Sequence, residues 1–317
     1  MSSIRGFSEF RSMADLSRAI RLSADLQMAD FDVVVGIPRS GMIPASIIAL
    51  HKNLPLTELD SFTSGAVFAH GITRAAKGYN PENHYTRPLI VDDSVNSGKS
   101  IAIARDKISR VDCKPVFFAA YVHERSKKLV DISLEKVRTP RIFEWNLWHH
   151  SDSLKHSCFD LDGVLGADPT IEENDDAENY RRFLSDAKPL VRPSYQLGHI
   201  VTSRLERYRS QTEEWLEKNG IGYENLHMLD LASAEERRRL KIHASFKASV
   251  YKQTNTSLFV ESDNAQAAEI FRLTGWPVLD YTNMVFFSAK GVTLDTGTRH
   301  LGVVSQRILR RIRRMGG

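Results

Sequence analysis

Cysteine is scarce in this chain: Cys113 and Cys158 are the two among 317 residues, too few for a disulfide framework or a cysteine-based zinc site. Long hydrophobic runs are missing as well. No stretch of about 18 apolar residues occurs, which excludes a membrane-spanning helix. The opening Met1-Ser2-Ser3-Ile4-Arg5 continues into mixed polar sequence, without the apolar core of a signal peptide. A cytoplasmic location is therefore the expectation. Internal repeats and low-complexity linkers are lacking, and 42% hydrophobic with 26% charged residues excludes wholesale disorder, collagen and coiled coil. Acidic residues run out after Asp295, while Arg299, Arg307, Arg310, Arg311, Arg313 and Arg314 follow. Those six charges exceed the formal net charge of +4, so the preceding sequence carries −2. The pI near 9.0 thus reports a basic tail on a nearly neutral body, poor support for a nucleic-acid-binding protein.

What is present is an alternation of strands and helices, the pattern of parallel α/β sheets. The length predicts two domains, with a boundary near residues 148–155. In the first block Phe10, Met13, Leu16 and Ile20 fall at helical spacing. Phe31 to Val35, Leu89 to Val91 and Val116 to Val122 read as buried strands, with helices over Met42 to His51 and Ser100 to Ile108. The second block has strands at Cys158-Phe159, His199 to Val201 and Ser257 to Val260. Its helices run around Tyr180 to Ala187, over Leu205 to Asn219 with Gly220 as stop, and over Asp263 to Thr274. Ser233-Ala234-Glu235-Glu236 has the form of a capping box.

The most informative stretch of the first block is Pro88-Leu89-Ile90-Val91-Asp92-Asp93-Ser94-Val95-Asn96-Ser97-Gly98-Lys99-Ser100. An apolar strand delivers two carboxylates to its C-terminal end, where ligands bind in open α/β sheets. A turn of small polar residues then enters a helix, whose free N–H groups suit a phosphate. Ionised carboxylates suit a sugar diol, because they accept from both hydroxyls. This stretch resembles the phosphoribosyl diphosphate (PRPP) motif of type I phosphoribosyltransferases. The resemblance implies that Asp92 and Asp93 hold ribose hydroxyls or Mg²⁺-bound water, and that Ser94, Val95, Asn96, Ser97, Gly98, Lys99 and Ser100 wrap the 5′-phosphate. Asn96 stands where purine-salvage members often carry Asp, which leans towards orotate-type members. Val35-Gly36-Ile37-Pro38-Arg39-Ser40-Gly41-Met42 is similar to the family's pyrophosphate loop, and implies contacts from Arg39 and the Ser40 and Gly41 amides. Residues 61–88 fall where the family has a mobile hood, to which Arg74, Lys77 and Arg87 would supply charge.

In the second block Phe159-Asp160-Leu161-Asp162-Gly163-Val164-Leu165 sets two carboxylates two residues apart after a strand. One acid can attack phosphorus while the other protonates the leaving oxygen and then activates water. The stretch is similar to motif I of the haloacid dehalogenase (HAD) superfamily. That resemblance implies Asp160 as nucleophile and Asp162 as general acid/base. Thr202, read at a strand end, would bind phosphoryl oxygens and Lys247 would neutralise the aspartyl phosphate. Asp160, Asp162, Glu261 and Asp263 would serve as Mg²⁺ ligands. Asp263-x-x-Gln266 is also an N-cap pattern, and Lys247 also fits a solvated helix position. Asp160 and Thr202 stand too close in sequence for a large cap domain.

The remaining signals favour structure. Trp145, Trp148, His149 and His150 read as packing at the domain junction, and Cys158 as a core residue. Val304, Ile308 and Ile312 mark an amphipathic C-terminal helix, with an anionic partner such as RNA as the sharper alternative. As a whole the chain is expected to be α/β, two parallel sheets flanked by helices: a phosphoribosyltransferase-like domain over residues 1–150 and a HAD-like phosphatase domain over 151–317. The expected substrates are PRPP with a nitrogenous base, and a phosphomonoester or nucleotide. Mg²⁺ is the expected cofactor, and the family implies a homodimer. A PRPP-sensing domain that regulates the phosphatase or an RNA target remains the alternative.

Overall fold

The computed structural model describes residues 9–68, 76, 79, 84–174, 177–289 and 291–293. The arginine-rich tail, Arg74 and Lys77 lie outside the described residues. Contacts divide the chain into two compact units, Met13–Thr139 and the segments on either side of it. The short strand β1 (Glu9–Arg11) belongs to the second unit.

The unit Met13–Thr139 is built on five parallel strands: β2 (Val33–Gly36), β3 (Leu56–Glu58), β4 (Pro88–Val95), β5 (Val116–Val122) and β6 (Ile132–Lys136). Their order is β3-β2-β4-β5-β6. The chain therefore moves one way from β2 to β3 and the other way through β4, which makes the gap between β2 and β4 a topological switch point. β2 is buried throughout, as a strand covered on both faces must be. Met13–Leu22 forms an amphipathic helix whose buried apolar residues are Leu16 and Ile20. The helix Met42–Lys52 ends on Asn53 in the left-handed region, φ 53°, a conformation Asn tolerates.

In the second unit β1 pairs in parallel with β7 (Arg141–Phe143), Phe10 opposite Ile142. A seven-stranded sheet follows from β8 (Ser157–Phe159), β9 (Leu197–Leu205), β10 (Tyr223–Leu229), β11 (Leu258–Glu261), β12 (Val278–Asp280), β13 (Val285–Ser288) and β14 (Gly291–Thr293). The order is β10-β9-β8-β11-β12-β13-β14, parallel through β12 and antiparallel beyond. Here the switch point lies between β8 and β11.

Several expectations are corrected. Phe10 is a strand residue: its ring stacks on Phe286 at 5.9 Å, and the first helix begins only at Met13. Because Phe10, Ile142 and Leu147 share a core with Phe159 and Phe286, the units divide at Thr139, earlier than the expected 148–155. Trp148 belongs to that same core and donates through Nε1 to the Tyr281 hydroxyl at 3.1 Å, so it packs within one unit. β4 continues through Asp92 to Val95, held by pairing that reaches Val95 opposite Val122. β9 likewise runs on to Leu205, which leaves Thr202 inside the strand and starts the following α-helix at Arg209.

Candidate functional site

In the unit Met13–Thr139 the two sequence-predicted PRPP segments meet at the switch point. Ile37 N–H donates to the Val91 carbonyl at 2.8 Å, which ties the chain beyond β2 to β4. Gly41 shows how close the approach is. A Cβ added there would lie 2.5 Å from the Ile37 oxygen and 2.7 Å from the Val91 oxygen, so only glycine fits without moving backbone. The Pro38–Arg39 peptide is cis, and Arg39 is exposed. On β4, Asp92 and Asp93 are both buried, and Asp93 N–H donates to Asp92 Oδ1 at 2.9 Å. Burial, then the charge of Asp93, pushes the Asp92 carboxyl up to about 7, against the pull of the Asp93 and Ser94 N–H groups. The turn after β4 is short. Gly98 takes φ +79° as N-cap of the helix Lys99–Ile108, Ser97 Oγ accepts from Lys99 N–H at 3.4 Å, and Ser126 Oγ donates to the Asn96 carbonyl. Asn96, Ser97, Lys99 and Ser100 are exposed beside the buried acids. A buried carboxylate pair beside an exposed turn that leads into a helix N-terminus fits the hydroxyls of a sugar phosphate and a hard divalent ion such as Mg²⁺. Arg87 is engaged elsewhere, in ion pairs with Asp30 and Asp32.

The second unit holds a cleft of about 550 Å³ at the carboxyl ends of its parallel strands, lined among others by Asp160, Asp162, Lys247 and Asp263. Asp160 directly follows β8, Glu261 ends β11, and the buried Lys247 joins them. Lys247 Nζ donates to Asp160 Oδ2 at 2.8 Å, Glu261 Oε2 at 2.7 Å and Gln266 Oε1 at 3.1 Å. Burial opposes its charge, but Asp160 and Glu261 outweigh that and raise its pKa. Two carboxylates thus share one ammonium. Burial, followed by repulsion from Glu261, holds the Asp160 carboxyl well above the usual range despite Lys247. Glu261 is fully buried, and its Oε1 accepts from Ser262 and Asp263 N–H at 3.0 and 3.2 Å.

Asp162 has a different partner. Arg204, 1% exposed, donates to its carboxylate from Nη2 at 2.6 Å and from Nε at 3.1 Å. Asp168 also lines the cleft, its pKa raised by burial and then by Asp162. Gly163, φ +78°, permits the turn between them; a Cβ there would sit 2.4 Å from Ser262 Oγ and 2.7 Å from Asp168 Oδ2. Thr202 is fully buried within β9 and its Oγ1 accepts from Arg204 N–H at 3.2 Å. Ser203, the next residue, lines the cleft instead. Asp263 is an N-cap: its Oδ1 accepts from Gln266 N–H at 2.7 Å.

Among the described residues no group of three or more His, Cys, Asp or Glu stands close enough to hold a metal ion. The carboxylates around Asp160 match Mg²⁺ in chemistry, and that ion commonly takes one or two carboxylates with waters and substrate phosphate. They do not form a cage of four. Sequence reasoning missed Arg204, Asp168, Tyr180, Arg237 and His243. Arg204 alone left a signal, as a lone cation two residues after Thr202 on an apolar strand.

Comparison with known proteins bears on the first half of the chain. The family model "Phosphoribosyl transferase domain" matches residues 11–156. Among solved structures, the chain is similar to a purine phosphoribosyltransferase from Pyrococcus horikoshii (21% identity, 43% of this chain and 92% of that one, TM-score 0.33). It is similar to a Helicobacter pylori xanthine-guanine-hypoxanthine phosphoribosyltransferase (19%, 44% and 92%, TM-score 0.34). A third is the Mycobacterium tuberculosis orotate phosphoribosyltransferase (18%, 39% and 73%, TM-score 0.26). The family match therefore makes residues 11–156, a little under half of the chain, similar to the phosphoribosyl transferase domain.

Proposed function

We propose that the protein is a bifunctional enzyme. One unit transfers the 5-phosphoribosyl group of PRPP to a nitrogenous base, and the other hydrolyses a phosphomonoester, the resulting nucleotide being its substrate. The observation that carries this reading is the placement of each unit's acids at the carboxyl ends of parallel strands beside the switch point.

In the transfer, the bond from ribose C1 to the diphosphate oxygen breaks, a base nitrogen bonds to C1, and the displaced base proton passes to solvent. Asp92 and Asp93 receive the ribose hydroxyls. Ser94 to Ser100 surround the 5′-phosphate, and Arg39 with the Ser40 and Gly41 amides receives the diphosphate. Mg²⁺ held through Asp92 and Asp93 would add positive charge at the diphosphate.

In the hydrolysis an oxygen of Asp160 attacks phosphorus while the ester P–O bond breaks. Asp162, kept in place by Arg204, takes up a proton from solvent before the step and gives it to the leaving oxygen. It then takes a proton from the water that attacks the aspartyl phosphate, releasing inorganic phosphate and restoring Asp160. Lys247 fixes the nucleophile against Glu261. Mg²⁺ at Asp160 and Asp162, with Glu261 and Asp263 as further candidate ligands, would supply positive charge at the phosphoryl oxygens. Joined in series, the steps run from base to nucleotide to nucleoside, and loss of phosphate makes the first step effectively one-way.

The test is phosphorus NMR of the protein with PRPP, Mg²⁺ and a pool of nucleobases, for wild type and Asp160→Asn. Pyrophosphate that needs the pool is expected from both proteins. Free phosphate is expected from wild type, and a mononucleotide that accumulates in Asp160→Asn, with hydrolysis down by about 10⁴-fold. Mononucleotide left intact by wild type would rule out the coupling. Pyrophosphate from neither protein would leave a PRPP sensor, which PRPP titration of Asp93→Asn then checks.

A further inference from the structure

In the Asp160 cleft, the two residues expected to hold phosphate oxygens are already engaged or sealed away. An ammonium has three N–H donors, and those of Lys247 are spent on Asp160, Glu261 and Gln266. Each nitrogen of Arg204 is engaged too, Nε and Nη2 by Asp162 and Nη1 by Thr212 Oγ1 at 3.5 Å. Thr202 is sealed inside β9. Arg237 and Ser203 also line the cleft, and Arg237 shares a side-chain hydrogen bond with Tyr180. Arg237 is 8% exposed and donates from Nη1 to the Ser203 carbonyl at 2.7 Å, which fixes its guanidinium against β9. Its Nε and the Ser203 Oγ are both buried and have no hydrogen-bond partner among the described residues.

A buried donor without an acceptor is costly, so two of them on neighbouring residues of one cleft call for an explanation. Both can donate, and a guanidinium is a cation, so an anion would supply the missing acceptor. Asp160, Asp162, Asp168 and Asp263 also line the cleft and repel an anion that strays towards them. We infer that Arg237 and Ser203 form the subsite that takes the oxygens of a phosphate group, the role that the resemblance implies for Lys247 and Thr202. A tetrahedral phosphate meets this geometry well, because one oxygen can accept from the guanidinium and another from the hydroxyl. Lys247 then acts through Asp160, as a positioning residue. The identity of the substrate as a phosphomonoester rests on the hydrolytic reading above; the anion subsite does not.

The experiment is calorimetric titration of the full chain with inorganic phosphate. Arg237→Gln is expected to weaken binding roughly 10- to 100-fold, the scale of one charge-assisted hydrogen bond, and Ser203→Ala about three- to tenfold. Ser203→Ala removes only an unpartnered hydroxyl, so it stays informative if Arg237→Gln unfolds. Arg272→Gln, an exposed arginine paired with Glu269, controls for net charge and should bind as wild type does. Phosphate binding that depends on Arg237 and Ser203 while no phosphomonoester is hydrolysed would sink the hydrolytic reading and keep the subsite. Equal affinity in wild type, Arg237→Gln and Ser203→Ala, or no binding by wild type, would overturn the subsite.

Discussion

In the unit Met13–Thr139, Asp92 and Asp93 stand side by side on one strand, and the groups that stabilise the Asp92 charge are backbone N–H groups. In the other unit each acid of the Asp160–Asp162 pair meets a buried cation, Lys247 at 2.8 Å and Arg204 at 2.6 Å. One site is built from backbone, with glycine where chains must touch; the other is built from side chains that neutralise each other. A side-chain site is fixed before any ligand arrives, whereas the backbone N–H groups that act on Asp92 bring no net charge with them. The contrast makes the two sites fail in different ways.

The largest effect is expected where a side-chain pair is broken. Arg204→Leu leaves Asp162, which lines the cleft, without its buried cation, and should destabilise the protein by about 3 kcal/mol, read from urea unfolding. The double variant with Asp162→Leu should regain part of that loss. If Arg204→Leu unfolds at the wild-type urea concentration, the second site is not held together by its ion pairs. On the backbone side, Gly41→Ala forces a methyl to within 2.5 Å of the Ile37 oxygen. A cost of about 1–3 kcal/mol is expected, with PRPP binding weakened roughly tenfold or more because the loop must shift. Wild-type PRPP affinity in Gly41→Ala would show that the close approach to β4 does not shape the site.

A smaller effect sharpens the comparison through pH. The Asp92 carboxyl ionises near 7 in the folded protein, against 3.8 ordinarily. Between those values the folded chain keeps a proton that the unfolded chain has released, so this group's contribution to stability falls as pH rises from about 4 to about 7. Asp92→Asn cannot ionise and lacks that slope. Urea unfolding at pH 5 and pH 8 should therefore show wild type losing stability relative to Asp92→Asn. Because Asp160 is present in both proteins, the difference reports the Asp92–Asp93 pair. Parallel pH curves would mean that a cation of the chain itself already compensates the pair.

The same contrast decides what could be read from sequence. Backbone sites are local: Asp92, Asp93 and Gly98 lie within seven residues, and strand, acids and glycine turn stand in register where the structure has them. Side-chain sites are assembled from afar. Lys247 and Asp160 are 87 residues apart and Arg204 and Asp162 are 42 apart, so their pairing appears only once β8, β9 and β11 lie together. Thr202 was misplaced for a related reason. A strand's end depends on how far its neighbour pairs, and β10 carries β9 through to Leu205. Phe10 fitted a helical period by chance, because its partners Ile142 and Phe286 are remote in sequence.

Asp263 is the position where cap and ligand give different outcomes. Its Oδ1 accepts from Gln266 N–H at 2.7 Å and closes the N-terminus of the helix Asn264–Thr274, while the residue also lines the Asp160 cleft. Loss of a cap costs about 1 kcal/mol, and serine restores most of it. Asp263→Ala should therefore lower stability by that amount, and Asp263→Ser should return close to wild type in urea unfolding. Serine is a poor substitute for a carboxylate at Mg²⁺. If phosphate release by Asp263→Ser needs the same Mg²⁺ concentration as wild type, Asp263 is a cap and the second site takes its cation from Asp160 and Asp162. If Asp263→Ser is stable but needs roughly tenfold more Mg²⁺, the carboxylate serves both ends, and the side-chain site extends one residue past the ion pairs that hold it.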